Sequence, residues 1–369
     1  MRLIPLKKTW TFAVFFITVS LCASDRILPQ PVGRLQQSVA GFIDTIMMKY
    51  SVPGATVGIW RHDSVIVLLT KGIADIDQGR AVNRKDQVRI GSITKTFVVS
   101  VFLELVDEKK VSLTDTLKKF LPSIPKADRI LLVQLCNHTS GIHDILEDSL
   151  NQNNFVVKPR YHWSRQELLD TISHTRPDFE PGTRFSYSNT GYLVLGLVIE
   201  KVSGHSIESE ISARLLKPLK LFATAFPADS LFTTRFLRGY MLDETTKKLK
   251  DVSCISPSLV WTAGAMISTL DDLKKWSRLL YKGEFLKPQT RQNRLAFTQG
   301  WNEYSRYGLG IMKVGRWIGH SGGIYGYNTG MCYEPESGIT VVVLLNNCNQ
   351  VDGHMTEVMK GFSRILFGE

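Results

Sequence analysis

Runs rich in β-branched and apolar residues lie near both ends of this chain, and the long stretch between them has a different periodicity. Near the start, residues 55–60 and 64–70 are separated by Arg61-His62-Asp63, the pattern of a hairpin. Near the end, 327–333 and 339–346 flank the turn sequence Glu334-Pro335-Glu336-Ser337-Gly338, and 306–314 also has strand character. From about 113 to 280 the chain is mostly helical and loop-rich. Helical spacing occurs at 129–137, 164–175, 189–203, 206–216 and 269–282, the last with Ser268 or Thr269 as cap and Asp271-Asp272 in its first turn. Amphipathic helices are expected at 33–49 (Leu35, Val39, Phe42, Ile43, Ile46) and at about 352–367. The natural solution is an α/β (α+β) fold, with one antiparallel sheet built from both chain ends, flanked by the terminal helices, and an inserted, mostly helical lobe. The sheet lobe is expected from about 30–95 and 300–369 and the helical lobe from about 96–299, with a pocket where they meet.

Before this domain, Arg2, Lys7 and Lys8 precede the short apolar run Trp10 to Leu21 and the small residues Cys22-Ala23-Ser24. That is the pattern of a signal peptide spanning about 1–24, which predicts export to the periplasm or outside the cell and a mature domain over 25–369. Leu21 is bulky where a lipid-anchor site takes a small residue, which disfavours an anchor on Cys22. The segment removes three positive charges and no negative ones, so the net charge falls from +11 to +8. Such a balance favours solubility and attraction to anionic envelope surfaces. No block of Lys and Arg is interleaved with aromatics as a nucleic-acid groove requires, so no nucleic-acid partner is expected. Composition is that of a globular chain, 43% hydrophobic and 21% charged. The cysteines beyond Cys22 (Cys136, Cys254, Cys332, Cys348) are too scattered for a disulfide scaffold and are expected in the core. No Cys-x-x-Cys or His-Glu-x-x-His occurs, and neither metal nor cofactor is expected.

Three short motifs carry chemistry. In Arg89-Ile90-Gly91-Ser92-Ile93-Thr94-Lys95-Thr96-Phe97, Gly91 permits a tight turn, and Ser92 and Thr94 suit the first turn of a helix continued by Phe97 to Val106. Ser92 and Lys95, three apart on a helix, share a face, so an amine lies beside a hydroxyl at the positive end of the helix dipole. A second Ser-x-x-Lys, Ser123 to Lys126, is interrupted by Pro125 and cannot form that face. Phe185-Ser186-Tyr187-Ser188-Asn189 follows the turn Pro181-Gly182, and there Tyr187 can exchange a proton with a serine while Asn189 can bind a substrate amide. Last, His320-Ser321-Gly322-Gly323 falls in the strand-rich part, where small residues let a ligand backbone approach. His320 can supply a donor or a positive charge, and the N–H groups of Gly323 and Ser92 can face a developing oxyanion.

Ser92-x-x-Lys95, Tyr187-Ser188-Asn189 and His320-Ser321-Gly322, in this order and at these separations, resemble the signatures of the serine β-lactamase and penicillin-binding DD-peptidase superfamily, most closely its class C-like branch. Leu135 to Ile142, Glu180-Pro181-Gly182, Ala263-Gly264 with Ser268-Thr269, and Gly326-Tyr327-Asn328 are similar to that branch too, so the resemblance runs from about 33 to 367. It implies a β-lactamase/transpeptidase-like fold with Ser92 as acylated nucleophile, Lys95 as its proton partner and Tyr187 as proton shuttle to the leaving group. Asn189, His320, Ser321 and Gly322 would bind substrate, and Ser92 and Gly323 would form the oxyanion hole. Whether Lys95 or Tyr187 takes the serine proton stays open. The branch's β-lactamases carry Lys-Thr-Gly as third signature, whereas no Lys-[Ser/Thr]-Gly occurs here. A histidine in that place resembles DD-carboxypeptidases, D-aminopeptidases and esterases of the family, and replaces a full charge with one only partly present near neutral pH. The expected function is therefore an exported serine hydrolase of D-alanyl-D-alanine carboxypeptidase or D-peptidase type, acting on a small peptide. The alternatives are a β-lactamase or esterase on the same scaffold, with a β-lactam or ester substrate, and a catalytically silent homologue that binds wall peptides. Specificity would reside in loops 145–163 and 283–305.

Overall fold

In the computed structural model, residues 32–148, 158–227, 235–243, 245–348 and 354–369 are described. The expected signal segment 1–24, with Cys22, and the middle of the 145–163 loop lie outside them. The main strands of the chain start are β1 (Gly54–Arg61), β2 (Ser64–Asp75) and the short β3 (Arg80–Ala81). A brief strand β4 (Val88–Arg89) follows, then a hairpin of β5 (Tyr240–Leu242) and β6 (Leu249–Asp251), and β7 (Ile267–Ser268). The chain end supplies β8 (Ser305–Tyr307), β9 (Met312–Val314), β10 (Trp317–Ile324), β11 (Tyr327–Glu334) and β12 (Ile339–Leu345). These form an eight-stranded antiparallel sheet in the order β3-β2-β1-β12-β11-β10-β9-β8. Its seam is β1 against β12, from Ala55 opposite Leu345 to Arg61 opposite Ile339, and here the two ends of the chain are joined.

Both faces of this sheet are covered, which explains why β12 reads as an unbroken apolar run rather than an alternation. On one face Val57, Ile59, Val341, Val343 and Leu345 pack against the helices α1 (Val32–Lys49) and α10 (His354–Phe367), through Leu35, Val39, Ile43, Val358 and Phe362. On the other, Met331, Val342 and Leu344 join the larger core of the helical part. At its centre is α2 (Thr94–Asp107), buried on nearly every side from Thr94 to Leu105, hence its continuous apolar sequence. Among the described residues the remaining α-helices are α3 (Leu132–Cys136), α4 (Arg165–Ser173), α5 (Asn189–Ser203), α6 (Ile207–Ile211), α7 (Trp261–Gly264), α8 (Leu270–Lys282) and α9 (Pro288–Arg294). Capping sets several of their ends. The Ser188 hydroxyl accepts from the Gly191 N–H to start α5, and Thr269 does the same for Asp272 in α8. Gly204 and Gly283, both at positive φ, end these two helices.

Several sequence expectations need correction. The 306–314 segment is two short strands, β8 and β9, parted by a turn in which Gly310 has φ +66°. The 129–137 helix shrinks to Leu132–Cys136, and the 283–305 loop contains α9, begun by Pro288 at its first turn. The β5–β6 hairpin carries no long apolar run and escaped notice. Cys136, Cys332 and Cys348 are buried, but Cys254 is only half-buried.

Candidate active site

Ser92 sits in a single 3-10 turn, Gly91–Ile93, immediately before α2. The residue preceding α2 is Ile93, with no side-chain cap, so the Ser92 hydroxyl is not spent on capping the helix backbone. The Thr94 hydroxyl accepts from the Met266 N–H (3.1 Å), and the Ile90 N–H donates to the Met266 carbonyl (2.9 Å). Together with the β4–β7 pair these bonds bring the 261–268 segment against the Ser92 turn.

Lys95, one turn along, is fully buried. Its ammonium nitrogen is 2.7 Å from the Ala263 carbonyl, 2.7 Å from Asn189 Oδ1 and 3.0 Å from Ser92 Oγ. It also lies 4.9 Å from the centre of the Tyr187 ring and 5.3 Å from that of Tyr192. The Ala263 carbonyl accepts only, and the Asn189 amide is fixed in orientation because its Nδ2 donates to the Asp144 carboxylate (2.9 Å). Two Lys95 hydrogens are thereby pinned on Ala263 and Asn189. The third tetrahedral direction faces Ser92, carrying an N–H in the ammonium and a lone pair in the neutral amine.

Asn189 is thus engaged at both ends, and a substrate amide reaching it would have to share Oδ1 with Lys95. Asp144 is a residue that the motifs did not single out. It is buried and also accepts from the Asn189 N–H (2.8 Å) and the Thr190 hydroxyl (3.3 Å), locking the start of α5 to the 138–144 loop. A lone Asp two residues beyond a family-like stretch offers no pattern by which to find it.

On the sheet side, pairing of β10 with β9 ends at Gly319 opposite Met312. From His320 to Ile324 that edge runs instead past the Ser92 turn. Contact is backbone to backbone. A Cβ on Gly322 would lie 1.9 Å from the Ile90 carbonyl oxygen, and one on Gly91 (φ +49°) 2.9 Å from the Gly323 nitrogen. The Thr329 hydroxyl on β11 bridges the Ile90 and Gly322 carbonyls at 3.1 Å each. Ser321 and Gly323 are half-buried along this edge, beside a half-buried Ser92.

His320 differs from expectation. It is buried, with Nδ1 2.5 Å from the Ser321 carbonyl and Nε2 2.9 Å from the Tyr307 hydroxyl. Because a carbonyl cannot donate, Nδ1 bears the proton and Nε2 accepts from Tyr307. Burial, reinforced by the Lys95 charge, pushes its pKa down to about 3, so the partly charged group expected near neutral pH is a neutral imidazole. Tyr187 is half-buried in a wall of aromatic rings, with Trp301 at 5.4 Å and Tyr307 at 6.2 Å between ring centres. Tyr307 and Trp301 lie in or beside segments whose sequence gave no sign of this convergence.

An antiparallel sheet closed by both chain ends, with Ser92 and Lys95 opening a buried helix at its edge, defines the β-lactamase/transpeptidase-like class of fold. The chain belongs to the Beta-lactamase family, whose pattern matches residues 39–356. Among solved structures it is similar to a D-stereospecific amidohydrolase from Streptomyces sp. (29% identity, TM-score 0.80, covering 92% of this chain and 100% of that one). Among curated proteins it is similar to Protein flp of Staphylococcus aureus (28% identity over 325 residues, 84% of this chain and 63% of the relative). It is similar as well to a D-aminopeptidase of Brucella anthropi (26% over 324 residues, 83% of this chain and 58% of the relative). The chain therefore spans about three-fifths of the length of these curated relatives.

Proposed function

We propose that this protein is an exported serine hydrolase that forms an acyl-enzyme on Ser92 and cleaves an amide bond next to a D-amino acid. The observation that carries the reading is the Lys95 nitrogen, pinned by Ala263 and Asn189 so that its third direction faces Ser92 Oγ at 3.0 Å. In the reaction Ser92 Oγ bonds to the substrate carbonyl carbon and gives its proton to the amine form of Lys95 or to the phenolate form of Tyr187. The carbonyl oxygen becomes an oxyanion beside the Ser92 and Gly323 N–H groups. The carbon–nitrogen bond then breaks as the leaving amine takes a proton by way of Tyr187, and water releases the acyl group by the reverse sequence. Export rests on the basic and apolar pattern of residues 1–24.

The neutral, Tyr307-bound His320 bears on substrate class. A substrate carboxylate at this place meets no imidazolium, which favours D-amino-acid amides, D-aminopeptidase substrates or esters over β-lactams and terminal D-alanyl-D-alanine. The Streptomyces amidohydrolase and the Brucella D-aminopeptidase point the same way. The test is a panel of D- and L-amino-acid amides, a D-alanyl-D-alanine peptide, short acyl esters and a cephalosporin. Preferential cleavage of D-amino-acid amides is expected. Turnover confined to the cephalosporin or to acyl esters would replace this reading with a β-lactamase or an esterase.

A further inference from the structure

His138 is buried behind Tyr187 and has no part in the steps above, yet it holds that tyrosine from both sides. Its backbone carbonyl accepts from the Ser186 N–H (2.9 Å), while its ring Nδ1 accepts from the Ser188 N–H (3.0 Å). One residue thus ties down both neighbours of Tyr187. The imidazole ring also packs beneath the Tyr187 ring, with centres 4.1 Å apart and planes 31° apart. Tyr307 at 4.5 Å and Tyr192 at 5.0 Å enclose the remaining faces. His138 adopts φ +60°, the left-handed conformation, and this aims its carbonyl and its ring at the same strand of chain.

The polar atoms show why an imidazole is used. Since Nδ1 accepts, the ring proton is on Nε2, and buried Nε2 has no hydrogen-bond partner. Leaving such a donor unsatisfied is unfavourable, a penalty that Phe or Leu in the same space would avoid. The compensating feature is the Nδ1 acceptor for Ser188. Burial first, then the Lys95 charge, hold this imidazole well below its ordinary pKa, so Nδ1 remains an acceptor at neutral pH. The same 138–144 loop takes the Ser188 hydroxyl on the Ile142 carbonyl (3.1 Å) and the Asn189 N–H on Asp144, so it templates the whole Tyr187-Ser188-Asn189 segment.

We infer that His138 is the positioning residue for Tyr187, fixing the phenol against Lys95 and Ser92 by binding both flanking amides and one face of the ring. This rests on the acyl-enzyme reading for its chemical consequence, though not for the clamp itself. In His138→Asn, Oδ1 takes the place of Nδ1 and the left-handed backbone is tolerated, but the ring is lost. In His138→Phe the ring is kept and the acceptor is lost.

Two measurements separate the possibilities. Amide hydrogen exchange at Ser188 should stay slow in His138→Asn and accelerate in His138→Phe; unchanged exchange in His138→Phe overturns the clamp without reference to activity. With a D-amino-acid amide and the p-nitrophenyl ester of the same acid, kcat of His138→Phe should fall about 100-fold on the amide, the scale expected of a misplaced proton donor. The ester should lose far less, because p-nitrophenolate leaves without a proton. Wild-type amide turnover, or equal losses on both substrates with Ser188 exchange still slow, overturns the positioning role. If His138→Phe does not fold, His138→Ala beside His138→Asn carries the same comparison, with restoration of the amide-to-ester ratio by Asn expected and equal ratios contradicting it. A Ser92→Ala protein that still hydrolyses both substrates would sink the acyl-enzyme reading instead, leaving the exchange result to judge the clamp.

Discussion

His320 shows how burial decides what a side chain can contribute. Its place in the third motif was legible in the sequence, whereas its charge state was not, because that depends on Tyr307 and Lys95, which fold in from other segments. Its folded pKa of about 3 lies below the unfolded value of about 6.5, so in acid the unfolded chain binds the proton first. Stability conferred by this group is complete above pH ~6.5 and is lost as pH falls toward ~3. From pH ~6.5 to ~5 the loss is about 2 kcal/mol, and His320→Gln should remove that part of the acid slope. Urea midpoints across this range measure it; an unchanged slope in the variant would mean that His320 is not held neutral. Asp144 makes the complementary point. It orders Asn189 and hence Lys95, but a single aspartate on a loop has no periodicity or spacing to betray it.

Among the elements, β10 approaches the Ser92 turn backbone to backbone. The Gly322 Cα faces the Ile90 carbonyl so closely that an added methyl must push the strand away from Ser92. Gly322→Ala should therefore lower kcat by about 100-fold or more, the effect of losing one oxyanion donor. Gly41, in α1 with nothing near its would-be Cβ, is the control: Gly41→Ala should raise stability by about 0.5–1 kcal/mol with kcat unchanged. Equal kcat for Gly322→Ala and wild type would show that the strand edge does not contribute to the oxyanion site. Helix α5 was legible to the residue because Ser188 and Gly204 punctuate an apolar repeat. Strands β8 and β9 were not separable, since a left-handed turn at Gly310 leaves no mark in the hydrophobic pattern.

At the scale of the molecule, the described residues form two cores on opposite faces of one sheet, and the larger one supports the site. Trp276 stacks on Phe97 at 4.2 Å and donates to the Thr96 hydroxyl (2.7 Å), so it braces the helix that carries Lys95. Phe362 lies on the far face, edge-on to Phe42 at 5.6 Å. Truncating either to Ala should cost about 3–5 kcal/mol. Trp276→Ala should also reduce kcat at temperatures where it is folded, while Phe362→Ala should keep wild-type kcat. Parallel losses of activity would show that the two faces are not separable. Pairing of the two chain ends was legible from their β-branched runs, since each run needs a partner and a cover. The strand order and the precise depth of the site were not, because they follow from contacts among residues far apart in the chain.

The central claim is that Ser92 becomes acylated, and intact mass of the full-length protein tests it most directly. Rapid quenching during turnover of a D-amino-acid p-nitrophenyl ester should reveal an adduct of the acyl mass, mapping to the peptide that contains Ser92. The adduct should be absent from Ser92→Ala and should form far more slowly in Lys95→Met. An adduct on another residue, or turnover by Ser92→Ala at the wild-type rate, would contradict the account.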